Sequence, residues 1–143
     1  MQDGVTRARL EDQPGERFVA LRRALGVSSF GLNQMELAPG QRSRVHRHEH
    51  QEEVYLVLEG TLTLIVEGEE QDLERGELVR VGPSVRRQLL NRGPGRLSLL
   101  ALGGAGEHQS RDAVAYHSWE DETGATPQEV PWPDDLDPDE LGR

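Results

Sequence analysis

The residues with chemistry in them gather in one stretch, HRHEHQEEVYLVLEG, from His46 to Gly60. Three of the chain's five histidines alternate there, and two glutamates follow. In an extended strand, residues two apart face the same way and lie about 6.6 Å apart, so His46 and His48 can aim both imidazoles at a single ion. Glu53, arriving on the next strand, can supply an oxygen. Two imidazoles and a carboxylate suit a divalent transition metal (Zn, Fe, Mn, Ni, Co or Cu) and leave coordination positions open, as a catalyst or ligand site needs. The plainer alternative is a polar strand edge whose histidines are merely solvated. His50 shares parity with the other two but would lie about 13 Å from His46, too far for one ion. It reads as a loop residue, or as a proton shuttle beside the metal. Glu52 should face the opposite way and be solvated.

Composition narrows the chemistry further. With no cysteine, disulfides, thiolate ligands and cysteine nucleophiles are excluded together, so a metal must sit on nitrogen and oxygen. All sixteen basic residues are arginine, which removes Schiff-base and lysine general-base chemistry. The net charge of −10 argues against nucleic acid as a partner. That acidity is local: Ser118 to Arg143 hold nine acidic residues and one basic, leaving only −2 for the rest. No run approaches the ~18 apolar residues of a membrane span, and the N-terminal MQDGVTRARLEDQPGER lacks the apolar core of a signal peptide. A soluble, cytoplasmic protein with no membrane partner is expected.

The elements that must position these residues are short. At 143 residues the chain suits one domain with tails. FVALRRALG, from Phe18 to Gly26, reads as a short helix with glycine as its stop. From Ser28 onward, stretches rich in Val, Leu, Ile and Thr recur between glycine-bearing turns, with no sustained helical period. Strands are expected near Phe30 to Leu37, Arg44 to His48, Val54 to Leu58, Thr61 to Glu67, Leu78 to Val81, Arg87 to Asn91 and Leu97 to Leu102. Seven short strands joined by tight turns indicate an all-β sandwich or small barrel. The division is an N-terminal segment over 1–27, a barrel over 28–104 and an acidic C-terminal arm over 105–143. The arm has too little to bury to fold alone, but Tyr116, Trp119 and Trp132 could anchor it on the barrel or on a neighbouring subunit. His108 and His117 read as surface residues.

The spacing Gly40, five residues, His46, one residue, His48, four residues, Glu53, six residues, Gly60 resembles the first motif of the cupin family. The resemblance covers about residues 30 to 104. It implies a single cupin-type β-barrel of jelly-roll-like strands, with an inward metal site built from His46, His48 and Glu53. Cupin-like barrels serve isomerases, decarboxylases, dioxygenases, sugar-binding modules and seed storage proteins, so the fold by itself does not deliver a function.

The family's second motif is incomplete here. In GELVRVGPSVRRQLLN, Gly76 and Asn91 match, Gly82 stands at the proline position, Ser84 at the second glycine position, and Arg87 where the fourth metal ligand, a histidine, belongs. Guanidinium stays protonated and has no lone pair to give. Either the other three residues hold the metal while Arg87 binds an anionic ligand group beside it, or Arg87 pairs with Glu53 and replaces the metal with its own charge. Strand alternation leaves a third option, Arg87 turned outward to solvent, because neither face of that strand is cleanly apolar. Tyr55 and Gln88 are further candidates for contacts to a substrate.

An inward Glu53 carries a consequence for the neighbouring strand. It turns Val54, Leu56 and Leu58 to the outside, where an apolar strip needs a cover. The N-terminal segment, the aromatic-bearing arm and a second subunit can each supply one, and the resemblance to the often dimeric cupins favours a homodimer. Two functions follow: a metal-dependent enzyme of oxygenase or isomerase class acting on a small, anionic metabolite, or a non-catalytic small-molecule-binding module in which Arg87 and Glu53 pair without metal. An interaction protein recruiting a partner through its acidic arm rests on the arm alone.

Overall fold

The computed structural model describes residues 4–12, 14–104 and 112–141; His108 lies outside them. Ten strands and one short helix follow in order: β1 (Phe18–Val19), α1 (Leu21–Leu25), β2 (Gly31–Leu37), β3 (Val45–His48), β4 (Glu52–Glu59), β5 (Thr61–Val66), β6 (Glu69–Glu74), β7 (Leu78–Val81), β8 (Arg87–Leu90), β9 (Leu97–Gly104) and β10 (Ala113–Tyr116). They form two five-stranded antiparallel sheets, ordered β1-β2-β9-β4-β7 and β10-β3-β8-β5-β6. This is the all-β, jelly-roll-like barrel expected from the sequence. Met35, Tyr55, Val57, Leu97 and Leu99 of the first sheet meet Leu62, Leu64, Leu73 and Leu89 of the second in one core.

All seven expected strands are present, and two of the remaining three explain themselves physically. β6, EEQDLE, buries only Leu73 and so has no alternation to read. It exists because Glu67 and Gly68, both at positive φ (49° and 82°), fold it back on β5 as a two-residue hairpin. β10 comes from the stretch expected as an arm; it pairs with β3 and is held from its other side by the Ala115–Ala125 bridge. The expected helix at Phe18 is shorter than its pattern. Phe18 and Val19 pair with Met35 and Gln34 instead, and the helix runs only over Leu21–Leu25 before Gly26, at φ 76°, ends it.

The motif glycines have structural work. Gly60 sits at φ 83°, and a Cβ there would lie 2.5 Å from the Arg96 carbonyl oxygen, so only glycine fits the turn between β4 and β5. Ser84, at the position of a motif glycine, keeps a left-handed φ of 68° while its N–H donates to the His48 carbonyl at 2.7 Å. Asn91 ties the barrel end together: its amide donates to the Leu37 and Gly95 carbonyls, both at 2.8 Å, and its Oδ1 accepts from Gly93 N–H.

The acidic arm folds against its own barrel. Val130 and Leu136 are buried, Trp119 Nε1 donates to Gln88 Oε1 at 3.1 Å, and the guanidinium of Arg44 lies 3.8 Å from the Trp132 ring. The N-terminal segment reaches β2, where the Glu11 backbone and the Gln34 side chain exchange hydrogen bonds of 2.9 and 2.7 Å.

Candidate functional site

Three strands from two sheets converge on the site. β3 carries His46 and His48; β8 lies beside it with Arg87 directly opposite His46; β4 brings Glu53 from the facing sheet. Parity on β4 places Glu53, Tyr55 and Val57 in the interior, all buried, and leaves Val54, Leu56 and Leu58 half-buried outside. The polar member of the mixed face thus looks inward because the barrel has a polar cavity to receive it.

The two imidazoles stand edge to face, 5.6 Å apart at 78°. His48 Nε2 lies 3.4 Å and His46 Nε2 4.0 Å from Glu53 Oε1, and one ligand atom from each of the three residues lies within 4.8 Å of the others. His46 Nδ1 is 3.0 Å from the Arg44 carbonyl oxygen. A carbonyl only accepts, so Nδ1 carries the proton and neutral His46 presents the lone pair of Nε2 to Glu53. Burial holds His46 below the usual histidine pKa, against the opposing pull of Glu53. A lone pair facing a carboxylate across 4.0 Å is an arrangement that a cation completes. Nitrogen and oxygen donors with no sulfur fit a divalent transition metal.

A buried carboxylate stands behind the second histidine. Asp112 Oδ2 lies 3.6 Å from His48 Nδ1, and Asp112 accepts backbone N–H bonds from His50 and Gln51 together with a 3.0 Å bond from the His50 ring. Burial works against its charge, yet these donors hold the Asp112 pKa below the ordinary carboxylate value. His50 is therefore placed where the sequence put it, in the turn after β3, but linked to the site through Asp112. Glu52 faces solvent and pairs with Arg80 at 2.5 Å.

Arg87 is fully buried and points into the barrel. Its Nη2 donates to Glu53 Oε1 at 2.9 Å, its Nε to the Tyr55 hydroxyl at 3.2 Å and its Nη1 to the Val85 carbonyl at 2.8 Å. The Tyr55 hydroxyl donates in turn to Glu53 Oε1. Burial alone would raise the Glu53 pKa; the two histidines beside it and the charge of Arg87 outweigh it and hold the carboxyl well below its usual range. Burial, aided by the Glu53 charge, pushes the Tyr55 hydroxyl up, so it stays protonated and donates.

These groups sit in a cavity of about 530 Å³ that opens between the sheets. His46, His48, Glu53, Tyr55 and Asp112 line it; Arg87 stands behind Glu53 rather than on the wall. Gln88, on the opposite face of β8, donates to the Ser43 carbonyl at 2.9 Å and accepts from Trp119, away from the cavity. Sequence reasoning missed Asp112 and the arginines Arg22, Arg23 and Arg44 of the cavity mouth. Asp112 has no motif spacing to announce it, and Arg44 could have been noticed by its parity with His46 and His48.

Comparisons with known proteins agree with this architecture. The Cupin_2 model, described as a cupin domain, matches residues 33–103. Over 70 residues the chain is 37% identical to the tetracenomycin polyketide synthase protein TcmJ of Streptomyces glaucescens, a match spanning 49% of this chain and 47% of that protein. The chain thus spans about half the length of this curated relative. Among solved structures, a sugar phosphate isomerase from a cupin superfamily of Silicibacter pomeroyi superposes with a TM-score of 0.61 at 25% identity, covering 98% of this chain and 97% of that one. A cupin protein from Bacteroides fragilis superposes with a TM-score of 0.63 at 19% identity over 76% of this chain and 89% of that one.

Proposed function

Residues 33–103 of this chain are a cupin domain, and from that premise we propose that it holds a divalent transition metal on His46, His48 and Glu53 and acts on a small, anionic metabolite inside the barrel. The observation that carries this reading is the neutral His46 Nε2 facing Glu53 Oε1 across 4.0 Å, with His48 Nε2 beside them, on the wall of a 530 Å³ cavity. Three protein ligands leave positions open to a ligand. A bound metal supplies Lewis-acid polarisation of a substrate carbonyl or hydroxyl oxygen. The chain's own residues do the rest. Tyr55 and Arg87 fix the Glu53 carboxylate, the Arg44 carbonyl orients the His46 ring while Asp112 stands beside that of His48, and the apolar core closes the floor of the cavity. The superposition with a sugar phosphate isomerase at 25% identity favours an isomerase reaction.

The test is elemental analysis of protein purified without chelator, beside the double variant His46→Ala/His48→Ala. Near-stoichiometric metal in the wild type, lost in the variant, is expected. A second reading has its own observation: the 2.9 Å ion pair of Arg87 with Glu53 supplies a positive charge where a metal would otherwise be needed. Metal-free wild type that still binds small ligands would select this reading, a non-catalytic binding module.

The assembly in this proposal is a cytoplasmic homodimer. In the outer face of the first sheet, Leu32, Leu102 and Val54 lie in one row and Leu100, Leu56 and Leu78 in the next, with Leu78 62% exposed. The N-terminal segment meets this face at Gln34, and the arm packs elsewhere. A second copy of the same strip covers it, since an isologous contact matches like with like. Light scattering at micromolar concentration should give twice the chain mass; a monomer would refute the dimer.

A further inference from the structure

The chain is strongly acidic, yet the mouth of its cavity is basic. Arg22 and Arg23 of α1 and Arg44, just before β3, all line it. Among the described residues none of the three makes an ion pair with a carboxylate, whereas Arg17, Arg47, Arg80, Arg87, Arg92 and Arg96 all do. Arg44 is the most constrained. Its Nε donates to the Val130 carbonyl at 2.6 Å, its guanidinium stacks 3.8 Å from the Trp132 ring, and a second cation, Arg17, approaches the same ring at 5.0 Å. With Nε and one ring face committed to the arm, the fork is held in place rather than free to swing into solvent.

We infer that Arg22, Arg23 and Arg44 form an oxyanion subsite that receives the terminal carboxylate or phosphate of a small organic anion whose other end reaches His46, His48 and Glu53. Arg44, His46 and His48 share one parity and one cavity wall, so the subsite and the histidines stand about 7 to 13 Å apart along the chain. That span suits a ligand of a few carbon atoms. A planar guanidinium held by its Nε and by stacking still presents N–H groups in the geometry that carboxylate and phosphate oxygens accept. Asn33 and Gln128, also on the wall, offer neutral polar groups to the ligand body. This names the substrate class for the site proposed above and rests on its being a ligand cavity, but not on the metal.

Fluorescence of Trp132, read in a Trp119→Phe background, reports binding of inorganic phosphate, succinate or neutral glycerol to metal-stripped and to zinc-loaded protein. Saturable binding of phosphate or succinate to both forms, and none of glycerol, is expected; the tighter of the two anions tells phosphate from carboxylate. Arg44→Gln and Arg23→Gln should each weaken it by about tenfold or more, while Arg75→Gln, on the exposed turn after β6, should leave it unchanged. Should Arg44→Gln not fold, the exposed Arg23→Gln still decides. Unchanged affinity in the folded arginine variants, or no saturable binding of either anion, overturns the subsite. Anion binding that disappears with the metal overturns it as well, and leaves the metal reading standing. Anion binding by a protein that takes up no zinc when zinc is offered supports the subsite and sinks the metal reading instead.

Discussion

Replacing Arg87 by histidine should tighten the metal site. Arg87 stands opposite His46 on the neighbouring strand and points the same way, so an imidazole at 87 projects at the same cluster. The guanidinium now opposes an ion in two ways. Its Nη2 lies 2.9 Å from Glu53 Oε1, the oxygen that also faces both imidazoles, and together with the Tyr55 hydroxyl it occupies that oxygen's lone pairs. It also repels. A cation about 2.1 Å from that oxygen stands ~5 Å from the guanidinium, and charges of +2 and +1 at ~5 Å repel by ~7 kcal/mol at an effective dielectric of ~20. Much of this is screened by Glu53 itself, so a gain of at least ~3 kcal/mol, about a hundredfold in Kd, is the expectation for Arg87→His. The same substitution strips Glu53 of its buried partner, so the metal-free variant should be less stable than wild type by ~3 kcal/mol. Competition against a chromophoric chelator measures the affinity, and melting with and without zinc measures the stability. A folded variant that binds zinc no more tightly than wild type would refute the reasoning, by showing that position 87 does not face the ion or that the ion sits elsewhere.

Further outcomes are open to measurement. Asp112→Asn should weaken metal binding about 10- to 100-fold by freeing the His48 ring, with little change in the fold. Ser84→Gly should raise stability by up to ~1 kcal/mol, read as melting temperature, because relief of the left-handed φ exceeds the added chain entropy. Gly60→Ala should cost more than ~2 kcal/mol, since its Cβ would meet the Arg96 carbonyl oxygen at 2.5 Å. The metal-free protein should lose stability as pH falls below the ordinary histidine value of 6.5. His46 has a depressed pKa in the folded state, so the unfolded chain binds the extra proton first, and the stabilisation present above that value fades as pH falls through the folded one. His46→Gln should flatten that slope in thermal melts, and an unchanged slope would count against a buried neutral His46. Leu56→Asp should yield monomers by light scattering if the outer strip joins two copies.

Much of the barrel can be read from the order of residues, because each strand is short, locally β-prone and bounded by glycine turns. Seven strands were legible for that reason. β6 was not, since its side chains are almost all polar and its pairing comes from the Glu67-Gly68 turn; nor was β10, whose pairing with β3 depends on contacts distant in sequence. Arg87 shows the same division. Its strand has no cleanly apolar face because both faces are covered, one by the core and the other by Ser43 and Trp119 of the arm. Alternation cannot choose between two buried faces. Only the motif spacing indicated inward.

The sequence by itself determined which atoms are available: nitrogen and oxygen ligands without sulfur, arginine as the sole fixed cation, and a strand parity that puts His46 and His48 on one face. Those are properties of composition and of a two-residue repeat, and they hold wherever the strand lies. Tertiary structure decided what each atom meets. It brought Glu53 across from the other sheet to within 3.4 Å of His48, seated Arg87 on the same carboxylate at 2.9 Å, and aimed Asp112 at the back of the His48 ring. Such encounters depend on which strands lie side by side and which sheets face each other. No local pattern encodes those pairings, and the balance between a metal and a guanidinium at Glu53 is set there.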